Sequence, residues 1–123
     1  MVDKRKFHRV NFNARSVLLY HGAATEGQVE TLSLSGVMIS FDESVMVPEC
    51  EICTVEIYLH DGAAPLRFMV EVVYSTLFRV GVQFLSYIDD ADERLYQLMV
   101  EISPEPESVK REAELLGWSI TSR

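Results

Sequence analysis

The chain has 123 residues, 48% of them hydrophobic and 24% charged, with a net charge of −8. That length suits one domain, able to bury about two-thirds of the surface its unfolded form exposes without staples. The acidic balance excludes a general binder of DNA or RNA polymers, whose phosphates call for a basic surface, and no apolar run is long enough for a membrane span or placed to act as a secretion signal, so a cytoplasmic protein is expected.

The charge is unevenly spread. In the first fifteen residues Lys4, Arg5, Lys6, Arg9 and Arg15 stand against Asp3 alone, a local excess of +4 that leaves −12 for the rest. An acidic body with one basic arm is suited to a small anion rather than a long polyanion. A solvated tail is the plainer reading of the same residues.

After the arm, Val10 to Tyr20 has the apolar and β-branched content of a first strand, and Gly22 sits in a hairpin loop before a second strand from Glu26 to Leu34. Leu32 and Leu34 alternate with Thr31, Ser33 and Ser35; past Gly36, Val37, Ile39 and Phe41 alternate with Met38 and Ser40. Period two marks half-buried strands, so two of them are expected to join at Gly36, where glycine allows φ > 0 and a close approach of backbone or ligand. The hydroxyls of Thr31, Ser33 and Ser35 then fall on one side of the corner, next to bare backbone. Asp42 to Glu51 reads as a loop containing Pro48.

Ile52 to Leu59 forms strand four, with Cys53, Val55, Ile57 and Leu59 on its buried face; Leu66 to Tyr74 and Phe78 to Phe84 follow, with Val80, Val82 and Phe84 inward. Six short strands with turn signals between them argue for an antiparallel barrel or sandwich. From Asp89 the period changes. Leu95, Leu98, Met99 and Ile102 make one helical stripe, with Asp90 and Glu93 placed as a capping box, and the helix is expected across one mouth of the barrel. Pro104 and Pro106 interrupt it. Glu107 to Leu116 reads as a second, more polar helix with Val109, Ala113 and Leu116 on one side and Gly117 as its cap. Trp118 and Ile120 either tuck against the domain or meet a partner.

Candidate chemistry is sparse. Cys50 and Cys53 have the spacing of a thiol pair, but the pair enters a strand rather than a helix, and no second pair completes a zinc site; Cys53 reads as a small buried hydrophobe. His8, His21 and His60 are scattered. No phosphate-cradling loop or nucleophile elbow is present, so no enzyme and no metal or cofactor is expected. Arg5 and Arg9 are different. Four residues apart, they offer two planar forks for phosphate or a guanine edge, and faces that stack on bases.

Arg5-Lys6-Phe7-His8-Arg9 resembles the R-x-x-x-R motif of the PilZ domain, a bacterial receptor module for cyclic di-GMP, and Thr31-Leu32-Ser33-Leu34-Ser35-Gly36 resembles its D/N-x-S-x-x-G motif. The Arg79 to Phe84 strand and the helix after it also fit, so the resemblance covers roughly residues 4–102. It implies a mainly β fold, a six-stranded antiparallel barrel with one or two C-terminal helices. The division it suggests is an arm at 1–10, a barrel with capping helix at 11–102 and an extension at 103–123. It also implies a ligand site of Arg5, Arg9, Thr31, Ser33 and Gly36: the arginines on phosphates and guanine faces, Ser33 on base or phosphate, Gly36 keeping the turn narrow. Thr31 departs from the motif. Its single hydroxyl cannot match the two-point bonding of a carboxylate or carboxamide, a loss of about 1–3 kcal/mol. The function implied is a receptor that orders its arm on binding cyclic di-GMP and so signals to a downstream protein, with a homodimer left open. The alternative is an adaptor that works through protein contacts without nucleotide.

Overall fold

The computed structural model describes residues 8–60 and 62–118. Alternating apolar residues build six strands: β1 (Val10–Tyr20), β2 (Ala23–Leu32), β3 (Gly36–Ser40), β4 (Ile52–Tyr58), β5 (Leu66–Ser75) and β6 (Arg79–Tyr87). All pair antiparallel, in the closed order β1-β2-β3-β6-β5-β4. Closure leaves no free sheet edge, which removes the usual route to edge-to-edge aggregation. Leu18, Val29, Leu32, Ile39, Val55, Ile57, Phe68 and Val70 fill the interior and are almost wholly buried. Rings of Phe68 and Phe84 stack at 4.0 Å, and Tyr87 meets both edge-on at 5.7 Å. Cys53 is buried and unbridged, Cys50 exposed and unbridged. Burial raises the Cys53 thiol pKa, the opposite of activation, so the small-hydrophobe reading holds.

Strand ends differ from the sequence reading in instructive ways. β2 starts at Ala23, not Glu26, because His21 and Gly22 both take positive φ (50° and 80°) and form a two-residue turn whose twist matches the strands. Ala23 and Ala24 have little β preference of their own; pairing with Tyr20 and Leu19 carries them into the sheet. β2 also ends earlier, at Leu32, and β6 runs on to Tyr87. Two bulges lie near the start of β1. Phe12 and Asn13 stand against Glu30 between the Asn11 and Ala14 pairings, and on the other side Glu30 is skipped between Val29 and Thr31. Bulges of this kind bend a strand and re-aim the side chains next to them.

α1 (Ala91–Ile102) buries Leu95 and Met99 in the barrel core, and Arg94 donates to the carbonyls of Ala64 (2.8 Å) and Pro65 (3.5 Å) ahead of β5. The capping box does not form. Asp90 occupies the N-cap position with no side-chain cap bond, and Asp92 Oδ1 accepts the Glu93 N–H instead. α2 (Pro106–Leu115) starts with proline at its first turn, where no N–H is needed, and ends at Gly117 with φ 76°. Trp118 N–H bonds to Ala113 and Gly117 N–H to Glu114, the paired bonds of a Schellman cap. No helix among the described residues is long and apolar enough to cross a membrane.

Candidate functional site

Of the arm motif only His8 and Arg9 lie within the described residues, and the register of β1 and β2 brings Arg9 to the start of the second motif's turn. Val10 pairs with Leu32, so Arg9 and Ser33 are the next residues outward along the two strands. Val10 and Leu32 point into the core. Arg9, one step away, is exposed, and among the described residues no ion pair engages it. Arg5 lies outside the described residues. Arg15, counted with the basic arm on sequence, is occupied: it pairs with Glu26 at 2.8 Å and lies over the Tyr58 ring at 4.5 Å.

Leu32 ends β2, and the next three residues turn the chain. The Ser33 N–H donates to the Gly36 carbonyl at 3.0 Å, leaving Leu34 and Ser35 at the corners. Strict alternation would put Ser33 on the solvent face. It is instead 4% exposed, because the strand has ended and its side chain folds into the turn. Ser33 Oγ accepts the N–H of Ser35 (3.2 Å) and of Gly36 (3.1 Å), and lies 3.2 Å from Ser35 Oγ. Self-bonding of this type mimics a backbone turn and fixes its shape. Of the three hydroxyls expected on one side of the corner, that of Ser33 is instead turned inward and spent inside the turn, while Thr31 and Ser35 are half-exposed.

β6 secures the turn from behind. Phe84 N–H donates to the Ser35 carbonyl and the Tyr87 hydroxyl to the Leu34 carbonyl, each at 2.8 Å. Burial, with Asp92 adding to it, raises the Tyr87 phenol pKa, so it stays a neutral donor. Leu34 itself is fully buried. Gly36 is not among the residues with positive φ, so the turn does not use its conformational freedom. The close-approach reason holds: a Cβ at Gly36 would collide with the Val82 carbonyl oxygen of the paired strand.

Thr31 pairs across β1 with Asn11 and across β3 with Met38. Directly opposed residues project to the same face of a sheet, so exposed Asn11 stands beside Thr31 on the outside of the barrel. The sequence reading missed it, since only register brings residues 11 and 31 together. His8 and Glu112 were also missed. The His8 N–H, immediately before Arg9, donates to Glu112 Oε2 of α2 at 2.8 Å. Glu112 had a visible signal: it lies three residues after Val109 and four before Leu116, a carboxylate on the helix's apolar stripe. Among the described residues no cluster of His, Cys, Asp or Glu is arranged to hold a metal.

Trp118 is half-buried and meets the Tyr87 ring edge-on at 5.0 Å, so of its two expected fates it takes the first and tucks against the domain. Ile120 lies outside the described residues.

A family model described as PilZ domain matches residues 3–101. No curated protein sequence matches the chain. Among solved structures, the PilZ domain of YcgR from Escherichia coli with c-di-GMP superimposes with a TM-score of 0.68 at 12% identity, over 96% of this chain and 100% of that one. YcgR from Escherichia coli in complex with c-di-GMP gives 0.64 at 16% identity, over 94% of this chain and 50% of that one. The inhibitor of motility MotI/DgrA of Bacillus subtilis gives 0.64 at 11% identity, over 81% and 51%. The chain thus spans half the length of these two longer proteins, and identities this low show a shared fold alone. Closed six-stranded barrel, serine turn and family match over residues 3–101 agree: the chain belongs to the PilZ domain family.

Proposed function

We propose that the chain is a non-enzymatic cytoplasmic receptor for cyclic di-GMP, its ligand held between the N-terminal arm and the serine turn. The observation that carries this reading is the β1–β2 register, which sets exposed Arg9 one residue beyond the pair whose other member leads into Ser33. A guanidinium at that place has a planar fork for phosphate and a face for a guanine ring. Arg5 is the second fork. Ser33 holds the turn in shape, Gly36 lets the strands close behind it, and Thr31 faces the ligand.

Asn11 makes good the departure at Thr31. Its carboxamide carries both donor and acceptor, which a guanine edge can meet at two points, and it sits across the strand pair from the threonine hydroxyl. The PilZ domain of YcgR, whose structure contains c-di-GMP, superimposes over 96% of this chain, which supports the same ligand class here. Ordering of the arm on binding would change the surface presented to a downstream protein, the free energy coming from contacts made only in the bound state.

Calorimetric titration of cyclic di-GMP into wild type, Arg9→Ala and Arg15→Ala tests the reading. Arg9→Ala is expected to weaken binding about tenfold to a hundredfold by removing a charge-assisted bidentate contact. Arg15→Ala, whose charge is already paired with Glu26, is expected to bind as wild type. No heat with wild type, or equal affinity for wild type and Arg9→Ala, refutes it.

A further inference from the structure

The C-terminal extension touches both halves of the proposed site. At one end, Glu112 Oε2 accepts the backbone N–H of His8, 104 residues away in sequence and next to Arg9. At the other, Trp118 packs on Tyr87, whose hydroxyl donates to Leu34 in the serine turn. Glu112 is no surface carboxylate. It is 6% exposed, and its second oxygen, Oε1, is buried with no hydrogen-bond partner among the described residues. A helix that needed only packing at this position would do better with an apolar side chain, since a buried carboxylate carries a desolvation cost that one N–H offsets only in part.

We infer that Glu112 is a positioning residue for nucleotide binding, holding the root of the arm so that Arg9 stands ready beside the serine turn. This rests on the receptor reading above. Backbone at Arg9 held only by the first residue of β1 must lose more freedom when Arg9 engages a ligand; a grip one residue ahead of Arg9 removes part of that loss in advance. The contact is to backbone, so it fixes the path of the chain and leaves the side chain of Arg9 free for the anion. α2 therefore sets the affinity of a site it does not line.

The test uses the full chain and cyclic di-GMP itself. Affinities are measured by calorimetry for wild type, Glu112→Gln, Glu112→Ala and His8→Pro, with thermal melts of each. Glutamine keeps an oxygen that accepts the His8 N–H and is expected to bind within about threefold of wild type. Glu112→Ala removes the acceptor and His8→Pro the donor while leaving α2 untouched. Each is expected to weaken binding about tenfold. Amide exchange without nucleotide should show the His8 N–H protected in wild type and in Glu112→Gln but not in Glu112→Ala, a rescue that loss of packing would not produce. Wild-type affinity in both Glu112→Ala and His8→Pro, with measurable binding throughout, overturns this inference alone, as does tighter binding, which would make α2 a competitor of the ligand. A wild type that takes up no nucleotide overturns the receptor reading and this inference with it.

Discussion

The serine turn and the root of the arm are neighbours at one end of the β1–β2 pair, yet they are held in different ways. Ser33 to Gly36 are fastened from inside by the Ser33 hydroxyl and from behind by Phe84 and Tyr87 of β6. Among the described residues, His8 is fastened outside the sheet by its N–H, to a carboxylate on a helix far along the chain. One half of the proposed site is thus part of the barrel itself, and the other is held to it by α2. Such a division suits the proposed receptor: a rigid surface keeps its shape without ligand, while a tether at the root of the arm reduces the ordering that binding still has to complete.

The preformed half breaks most severely at Gly36. Gly36→Ala places a methyl group against the Val82 carbonyl oxygen and within 3.4 Å of Gln83 Cα, both backbone and unable to move aside alone. A loss of about 2–4 kcal/mol in denaturant unfolding is expected, since β3 and β6 must part to make room. An unchanged midpoint would show that the turn is looser than its hydrogen bonds imply.

Ser33→Ala should have a smaller effect. It leaves the N–H groups of Ser35 and Gly36 without the acceptor they share, at a cost of about 1–2 kcal/mol. On the proposed reading, binding of cyclic di-GMP should weaken as well, although the hydroxyl is folded inward, because the turn it shapes would be the surface that the ligand meets. Full stability in this variant would show that water replaces the hydroxyl and that the turn is less rigid than the arm's root.

The tied half is probed most gently by acid. Burial raises the Glu112 carboxyl pKa, and Glu105 adds to this, while the His8 N–H and side chain and Arg111 pull it back. A carboxyl whose folded pKa lies above its unfolded value of about 4.3 contributes stability that is fully present below the unfolded value and fades as pH rises through the folded one. Glu112→Gln, which does not ionise, should therefore melt above wild type at pH 7, with the gap closing as the pH falls toward the unfolded value. A gap that widened on acidification would mean that the ionised carboxylate is the better-held form, and that the root is gripped as firmly as the turn.

Much of this protein was settled by residue pattern. Alternation at Leu32, Val37, Ile39, Cys53, Val55, Ile57, Val80, Val82 and Phe84 named the buried faces of the barrel, because a strand one residue out of register would turn its entire apolar set to water. The two helices, the proline break between them and the glycine cap at Gly117 were legible for the same local reasons. So were the two motifs. Tertiary structure alone decided how they are wired. It folded Ser33 inward against its alternation, made Gly36 necessary through Val82 rather than through φ, set Asn11 beside Thr31, took Arg15 away to Glu26, and joined His8 to Glu112. Each of these depends on which strand or helix lies across from which, and pairing between distant segments leaves no periodic trace in the residues it joins.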